Sequence, residues 1–392
     1  MSRLLPVFFV FALLSCEPGR AGPAAVRIAT FNVAMGLDEA GELATALAGN
    51  DNPRLRQVAE ILQRVRPDVV LLNEFDYDPS VDAAGLLQKH YLDRSQDGLA
   101  PIAYPHYFRA AVNTGVDSGL DLDGDGATGG PGDAWGFGRF PGQYGMLVLS
   151  RFPIDAQRTR TFRNFRWAAL PGALRPANPD GSPFYSDAVW QRLRLSSKSH
   201  WDVALDIAGA TLHLLAHHPT PPVFDGPENR NGRRNFDEIR FWREYTNPHG
   251  DPEFIADDRG LTGGLDPNAA FIIAGDFNAD PFDGDSAPGA IAQLLDAPWI
   301  DASCVPHSAG ALAATETQGG VNARHRGDPA ADTADFNDRY TGNLRLDYRL
   351  PAATLEVTGC GGFWPPPGAP GHAASGVSDH RLVWLDVQLL MT

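Results

Sequence analysis

Residues 269–278, Ala-Ala-Phe-Ile-Ile-Ala-Gly-Asp-Phe-Asn, set an apolar run directly against a polar turn. The run Ala269–Ala274 has the length and β-forming content of a buried strand, and Gly275-Asp276-Phe277-Asn278 closes it with residues that favour turns. The same arrangement recurs along the chain. Ala25–Val33 is a strand that holds Asn32 near its end. Asp68–Leu72 is a buried strand followed by Asn73-Glu74, and Thr211–Ala216 is a strand followed by His217-His218. Tyr144–Leu149, Trp201–Ile207, Leu344–Leu350 and Leu382–Leu389 complete the set of strands. The last of these follows Ser378-Asp379-His380. Helices are fewer. Asn52-Pro53 opens one in which Leu55, Val58, Ile61, Leu62 and Val65 share a face before Pro67 ends it, and Phe236–Tyr245 reads as another. Many strands with few helices between them predict an α+β fold of two face-to-face sheets with helices outside. In such a layered fold the strand ends gather at one edge, where distant residues meet. Asn32, Glu74, His218, Asp276, Asn278, Asp347, Asp379 and His380 all stand at strand ends.

The chain has 392 residues, 43% apolar and 20% charged, with 41 Gly and 32 Pro, so many turns and long loops are expected. Its formal charge of −16 repels polyanions and disfavours tight nonspecific nucleic-acid binding. The N-terminus reads as an export signal. One cation, Arg3, precedes the apolar run Leu4–Leu14, which is too short to span a bilayer comfortably. The run ends in Leu13-Leu14-Ser15-Cys16, which resembles the bacterial lipoprotein cleavage box with Cys16 as the lipidated residue. An ordinary signal peptide cut nearby, before Ala24, is the alternative. Residues 1–16 are therefore the expected signal and lipobox, 17–25 a linker, and 26–390 one domain. The two remaining cysteines, Cys304 and Cys360, make a plausible disulfide in an oxidising compartment, the alternative being two separate thiols.

Five motifs in order, Thr30-Phe31-Asn32, Asn73-Glu74, Gly275-Asp276-Phe277-Asn278, Leu346-Asp347-Tyr348 and Ser378-Asp379-His380, resemble those of the endonuclease/exonuclease/phosphatase (DNase I-like) superfamily. Each alone is a turn or cap; the ordered set is not explained that way. The resemblance implies a four-layer α/β/β/α sandwich of two mixed sheets and a divalent-metal-dependent phosphoesterase. It implies Glu74, Asn32 and Asp379 as ligands of a catalytic Mg²⁺ or Mn²⁺, because hard cations prefer oxygen donors. It casts Asp276 as the residue that orients the attacking water, Asn278 as a phosphate holder, and His218 and His380 as donors to the scissile phosphate. Asp347 would fix the His380 tautomer. Of the pair His217-His218, His218 is chosen because Pro219 marks the strand end, and neighbours on a strand face opposite sides. The phosphate-contacting Tyr usual in the superfamily is not placed, since Tyr144 reads as part of a core strand.

Three further stretches carry chemistry. Asp121-Leu122-Asp123-Gly124-Asp125-Gly126 resembles a calcium loop, with Asp121, Asp123 and Asp125 as ligands, inside an insertion at about 113–140. Asp133 falls near the twelfth position, where an EF-hand has Glu, and no flanking helices are evident. The bland alternative is a flexible acidic loop. Ser196–Trp201 offers Lys198 as a cationic phosphate ligand or is a solvated loop. The basic cluster Asn229–Arg234 either recognises phosphate or is a solvated helix start. The expected protein is an exported, monomeric, single-domain hydrolase of phosphate mono- or diesters, held to a membrane by its lipid, with a substrate that the residues leave open. A secreted nuclease, a sphingomyelinase-like lipid phosphodiesterase and a non-catalytic calcium-dependent surface binder are the alternatives.

Overall fold

The computed structural model describes residues 24–389; Cys16 and the rest of the expected signal lie outside the described residues. Two sheets lie face to face. The first has six strands in the order β12 (Glu356–Gly362), β13 (Val383–Leu389), β1 (Ala24–Met35), β2 (Val69–Phe75), β4 (Met146–Ser150) and β3 (His106–Phe108). The second has five, in the order β11 (Asp347–Pro351), β8 (Ala270–Asp276), β7 (Ala210–His217), β6 (Trp201–Ile207) and β5 (Arg160–Thr161). Both sheets are mixed: β1 pairs in parallel with β2, and β7 with β8, while their other pairings are antiparallel. A separate ribbon joins β9 (Ala334–Asp335) to β10 (Asn343–Leu344). The architecture is the expected α+β four-layer sandwich.

Period-two alternation builds its layers. Val26 and Ile28 of β1, Val69 and Leu71 of β2, Leu212 and Leu214 of β7, and Ile272 and Ala274 of β8 meet in the core between the sheets. Their alternates face outward. Phe31 and Leu72 pack on the outer helices Glu42–Ala48 and Pro53–Val65, and Leu215 and Ile273 on the helix Arg230–Thr246. Because both faces of each sheet are covered, the central strands read as continuous apolar runs.

The helix Pro53–Val65 forms as its sequence dictates: the Asn52 side chain accepts from the Arg54 and Leu55 N–H groups, and Arg66 ends it in the left-handed conformation. The helix Arg230–Thr246 starts six residues before the expected Phe236. Asp225 reaches forward to accept from the N–H groups of Asn231 and Gly232, a cap that lies upstream of the helix signal itself. The expected strand Leu344–Leu350 is broken in two. The Arg345 N–H donates to Asp280, and the Leu346 and Asp347 N–H groups both donate to the Thr333 hydroxyl, so this stretch leaves the ribbon and re-enters at β11. The glycine-rich edge strand β12 and the Ala-rich helix Ala309–Gln318, capped by Ser308, carry weak patterns and were not anticipated. Cys304 and Cys360 are joined in a disulfide with Cα atoms 6.2 Å apart. Among the described residues no helix is long and apolar enough to cross a membrane.

Candidate active site

The alternation that fills the core also delivers polar residues to it at one edge. Continuing the inward face of β1 past Val26 and Ile28 gives Thr30 and Asn32; of β2, Asn73; of β8, Asp276. All four are buried. Asn73, for which no role was anticipated, ties both sheets together. Its amide oxygen accepts from the Thr30 hydroxyl (3.2 Å) and the Asp276 N–H (3.3 Å), and its amide nitrogen donates to the His217 carbonyl (3.1 Å). Asn32 makes a second brace, its amide nitrogen donating to Glu74 Oε1 and Asp276 Oδ2, each at 3.1 Å.

Glu74 follows Asn73 and by alternation would face outward. Its backbone is left-handed, φ 55°, and this turns the carboxylate back to the cleft. Asn278 is also left-handed, φ 50°. Its N–H donates to Asp276 Oδ1 and its amide to the Pro219 carbonyl, which closes the Gly275–Asn278 turn around Asp276. The imidazoles complete the set. His218 Nε2 lies 3.4 Å from Asp276 Oδ2 and 3.9 Å from Glu74 Oε1. His380 Nε2 lies 3.4 Å from the same Asp276 oxygen, while its Nδ1 is 2.9 Å from Asp347 Oδ2. Asp347 and Asp276 are paired directly across β11 and β8, and Thr333 donates to the Asp347 carboxylate.

Of the two neighbouring histidines, His217 points to the outer face. It stacks on His200 with ring centroids 3.8 Å apart and packs edge-on against Trp242 and Phe277, its ring nitrogens without a hydrogen-bond partner among the described residues. Its parity is that of Leu215, whereas His218 falls in the cleft.

Electrostatics separate the two imidazoles of the cleft. Burial pulls His218 well below the usual histidine range, and the nearby positive charges of Lys198 and His380 act in the same direction. Burial also opposes charge on His380, but Asp276 and Asp347 outweigh it and hold this imidazole charged well above its ordinary range. Burial raises both Glu74 and Asp276; the Asp276 charge adds to the rise of Glu74, and the Asp347 charge to that of Asp276.

Two expected ligands stand differently. Asp379 is exposed; the hydrogen bond to its carboxylate comes from the adjacent Ser378 at 3.3 Å, and it is not part of the group joined to Glu74 and Asp276. The tight turn that aims His380 inward points its neighbour outward. Asn32 turns its nitrogen to the carboxylates, while its oxygen accepts from the Ala34 N–H. The half-buried Glu74 and the buried Asp276 share one amide donor, and their crowded negative charge is what a hard divalent ion held by Glu74 would offset.

In the insertion, carboxylate oxygens of Asp121, Asp123 and Asp133 lie within 4.8 Å of one another. Asp133 takes the place expected for Asp125, whose carboxylate instead accepts from the Ala127 N–H. The bridges Thr114–Gly136, parallel, and Asp117–Ala134, antiparallel, bring Asp133 back onto the loop. A cleft of about 660 Å³ runs from Glu74 to this insertion. Lys198, Arg230 and Arg234 line it, so both basic stretches face the site rather than open solvent. Tyr144, expected within a strand, precedes β4 with φ 55° and also lines the cleft.

A two-sheet sandwich whose strand ends converge carboxylates and imidazoles on one cleft defines a metal-dependent hydrolase of phosphate esters. The chain belongs to the Endonuclease/Exonuclease/phosphatase family, whose profile matches residues 29–380. No curated protein sequence matches the chain. Solved structures similar to it include an endonuclease/exonuclease/phosphatase from Beutenbergia cavernae, 18% identical with a TM-score of 0.49, covering 93% of this chain and 72% of that one. An endonuclease/exonuclease/phosphatase family protein from Leptotrichia buccalis is 15% identical, TM-score 0.47, covering 93% and 100%. Sphingomyelinase C from Streptomyces griseocarneus is 17% identical, TM-score 0.46, covering 93% and 99%.

Replacing Asn73 by Ala leaves a buried hydroxyl, N–H and carbonyl without partners. At about 1–3 kcal/mol for each buried group left unpaired, urea unfolding is expected to show a loss of at least ~2 kcal/mol together with reduced turnover. Unchanged stability would show that the brace contributes nothing.

Proposed function

We propose that the protein hydrolyses phosphate mono- or diesters outside the cytoplasm by in-line attack of water. The observation that carries this reading is the convergence of Asp276, His218 and His380, with one Asp276 oxygen 3.4 Å from each imidazole. Asp276 accepts the proton of the attacking water and orients it. His380, charged and fixed through Nδ1 by Asp347, presents Nε2 to the phosphoryl oxygens. Neutral His218 donates from the opposite side, and Asn278 holds the turn and the phosphate. A Mg²⁺ or Mn²⁺ held by Glu74, with Asn32 beside it, would supply charge for the phosphoryl and leaving oxygens. The exposed Asp379 fits this ligand set less well. In the insertion we propose Ca²⁺ at Asp121, Asp123 and Asp133.

The apolar run Leu4–Leu14, the box ending at Cys16 and the Cys304–Cys360 disulfide support an exported lipoprotein. The charge of −16 supports a substrate other than long nucleic acid.

Chelation should abolish hydrolysis of bis(4-nitrophenyl) phosphate. Added Mg²⁺ or Mn²⁺ should restore it, while Ca²⁺ should raise the thermal midpoint unless Asp121 and Asp123 are replaced by Asn. Asp276→Ala should lower kcat by about 10³-fold, within the range for loss of a general base; unaltered turnover in that variant would refute the mechanism. Asp347→Asn removes a charge that raises His380. The alkaline limb of the kcat/KM profile should therefore move to lower pH, and a limb that stays put would assign the titration to another group. Cys16→Ser should release the protein from the membrane fraction of an expressing bacterium; retention there would argue against lipidation.

A further inference from the structure

The cleft beside the carboxylates is lined by groups of different character. At the Glu74 end stands Lys198, 5% exposed, with no hydrogen bond or ion pair to its ammonium among the described residues. Burial lowers its titration from the ordinary lysine range, and the charges of Glu238, Glu74 and Asp276 offset part of that effect. A lysine so largely closed in, with its ammonium unpaired, gains from a ligand that accepts from it. Lys198 borders the cleft, so such a ligand can arrive from the cleft.

Much of the remaining lining is apolar and aromatic, with Asp123, Arg230, Asn231 and Arg234 among it. Trp167, Tyr185 and Leu193 are buried and contribute to the lining, and Phe137 and Phe224 are 62% and 90% exposed beside them. Large aromatics left open to water on a cleft wall indicate a surface awaiting an apolar ligand. Phe137 belongs to the insertion, and Phe224 to the loop that follows His218, so this wall is built from segments outside the five ordered motifs. The volume, about 660 Å³, lies within the span of about 300–1,000 Å³ typical of small-molecule sites.

We propose that this cleft binds the organic group of a small phosphate ester, a flat apolar group, and that Lys198 anchors the phosphoryl group at its inner end. The assignment rests on the phosphoesterase reading above. The flat group slides between the aromatic walls. The phosphoryl oxygens accept from the Lys198 ammonium, a charge-assisted bond, and face Asp276 and the two imidazoles. Arg230, paired with Glu228, also lines the cleft.

Non-hydrolysable phosphonates separate binding from leaving-group reactivity. With the Mn²⁺-loaded exported chain, calorimetry should show 1-naphthylmethylphosphonate binding at least about tenfold tighter than methylphosphonate, as burial of an aromatic group requires. Val223→Trp, which fills the cleft away from the catalytic groups, should erase that difference and leave methylphosphonate affinity as it was. Lys198→Met should weaken both ligands by about tenfold, and Lys198→Arg should recover part of the loss. Circular dichroism and thermal melts identify variants that fail to fold. Equal affinity for the two phosphonates in the unsubstituted protein, a preference that survives Val223→Trp, or full affinity in folded Lys198→Met would overturn the proposal. If the chain still hydrolyses bis(4-nitrophenyl) phosphate, those results remove only the cleft assignment. If it neither hydrolyses that ester nor binds either phosphonate, the phosphoesterase reading fails with it.

Discussion

The buried amide of Asn73 sets the position of everything else in the site. One side chain spans the gap between two sheets, taking a hydroxyl from β1 and an N–H from β8 and giving its own hydrogens to the end of β7. Apolar packing alone would hold the sheets together but would tolerate small slides, because dispersion is not directional. Hydrogen bonds are directional, and in a dry interior breaking one leaves groups unpaired. The amide therefore converts a sandwich into a registered frame. Asn32 extends the frame by one more step, to the Glu74 and Asp276 carboxylates.

The fold has a cost at that edge. Asp276 and the charged His380 are buried, and the carboxylate of the half-buried Glu74 stands beside them at the mouth of the cleft. Two left-handed residues, Glu74 and Asn278, hold backbone geometry that L-residues seldom adopt. These are the features of a preorganised catalytic edge, in which charge and strain are maintained by the packed layers behind it. The outer aromatic layer, with His217 and His200 stacked beneath Trp242 and Phe241, gives β7 a rigid backing from which His218 projects the other way.

Much of this was legible in residue patterns, and the reason is periodicity. Strand ends with Asp, Asn, Glu and His could be read because apolar runs announce strands, and the choice of His218 over His217 follows from alternation together with Pro219. What periodicity does not encode was lost. Asn73 reads as a turn residue beside Glu74, since its three partners lie on other strands. Lys198 sits in a run of Ser and His with the look of a solvated loop, and its burial comes from neighbours far along the chain. Spacing put Asp133 near the twelfth position, but the short bridges that fold the insertion back and bring it beside Asp121 and Asp123 are long-range and leave no local pattern. Asp379 adjoins the buried His380, yet the turn that buries one exposes the other. The strand expected over Leu344–Leu350 breaks at Arg345 and Leu346, whose N–H groups are captured by the distant Asp280 and Thr333 side chains.

The central claim is that residues from both sheets form one metal-assisted phosphate site at the braced edge. A crystal structure of the protein grown with Mn²⁺ and phosphate, with the manganese located by its anomalous scattering, tests this most directly. The account predicts an anomalous peak bonded to the Glu74 carboxylate and a phosphate bridging it to His218 and His380, with Asp276 alongside. A peak confined to the insertion or the surface, with phosphate absent from the imidazoles, would contradict it.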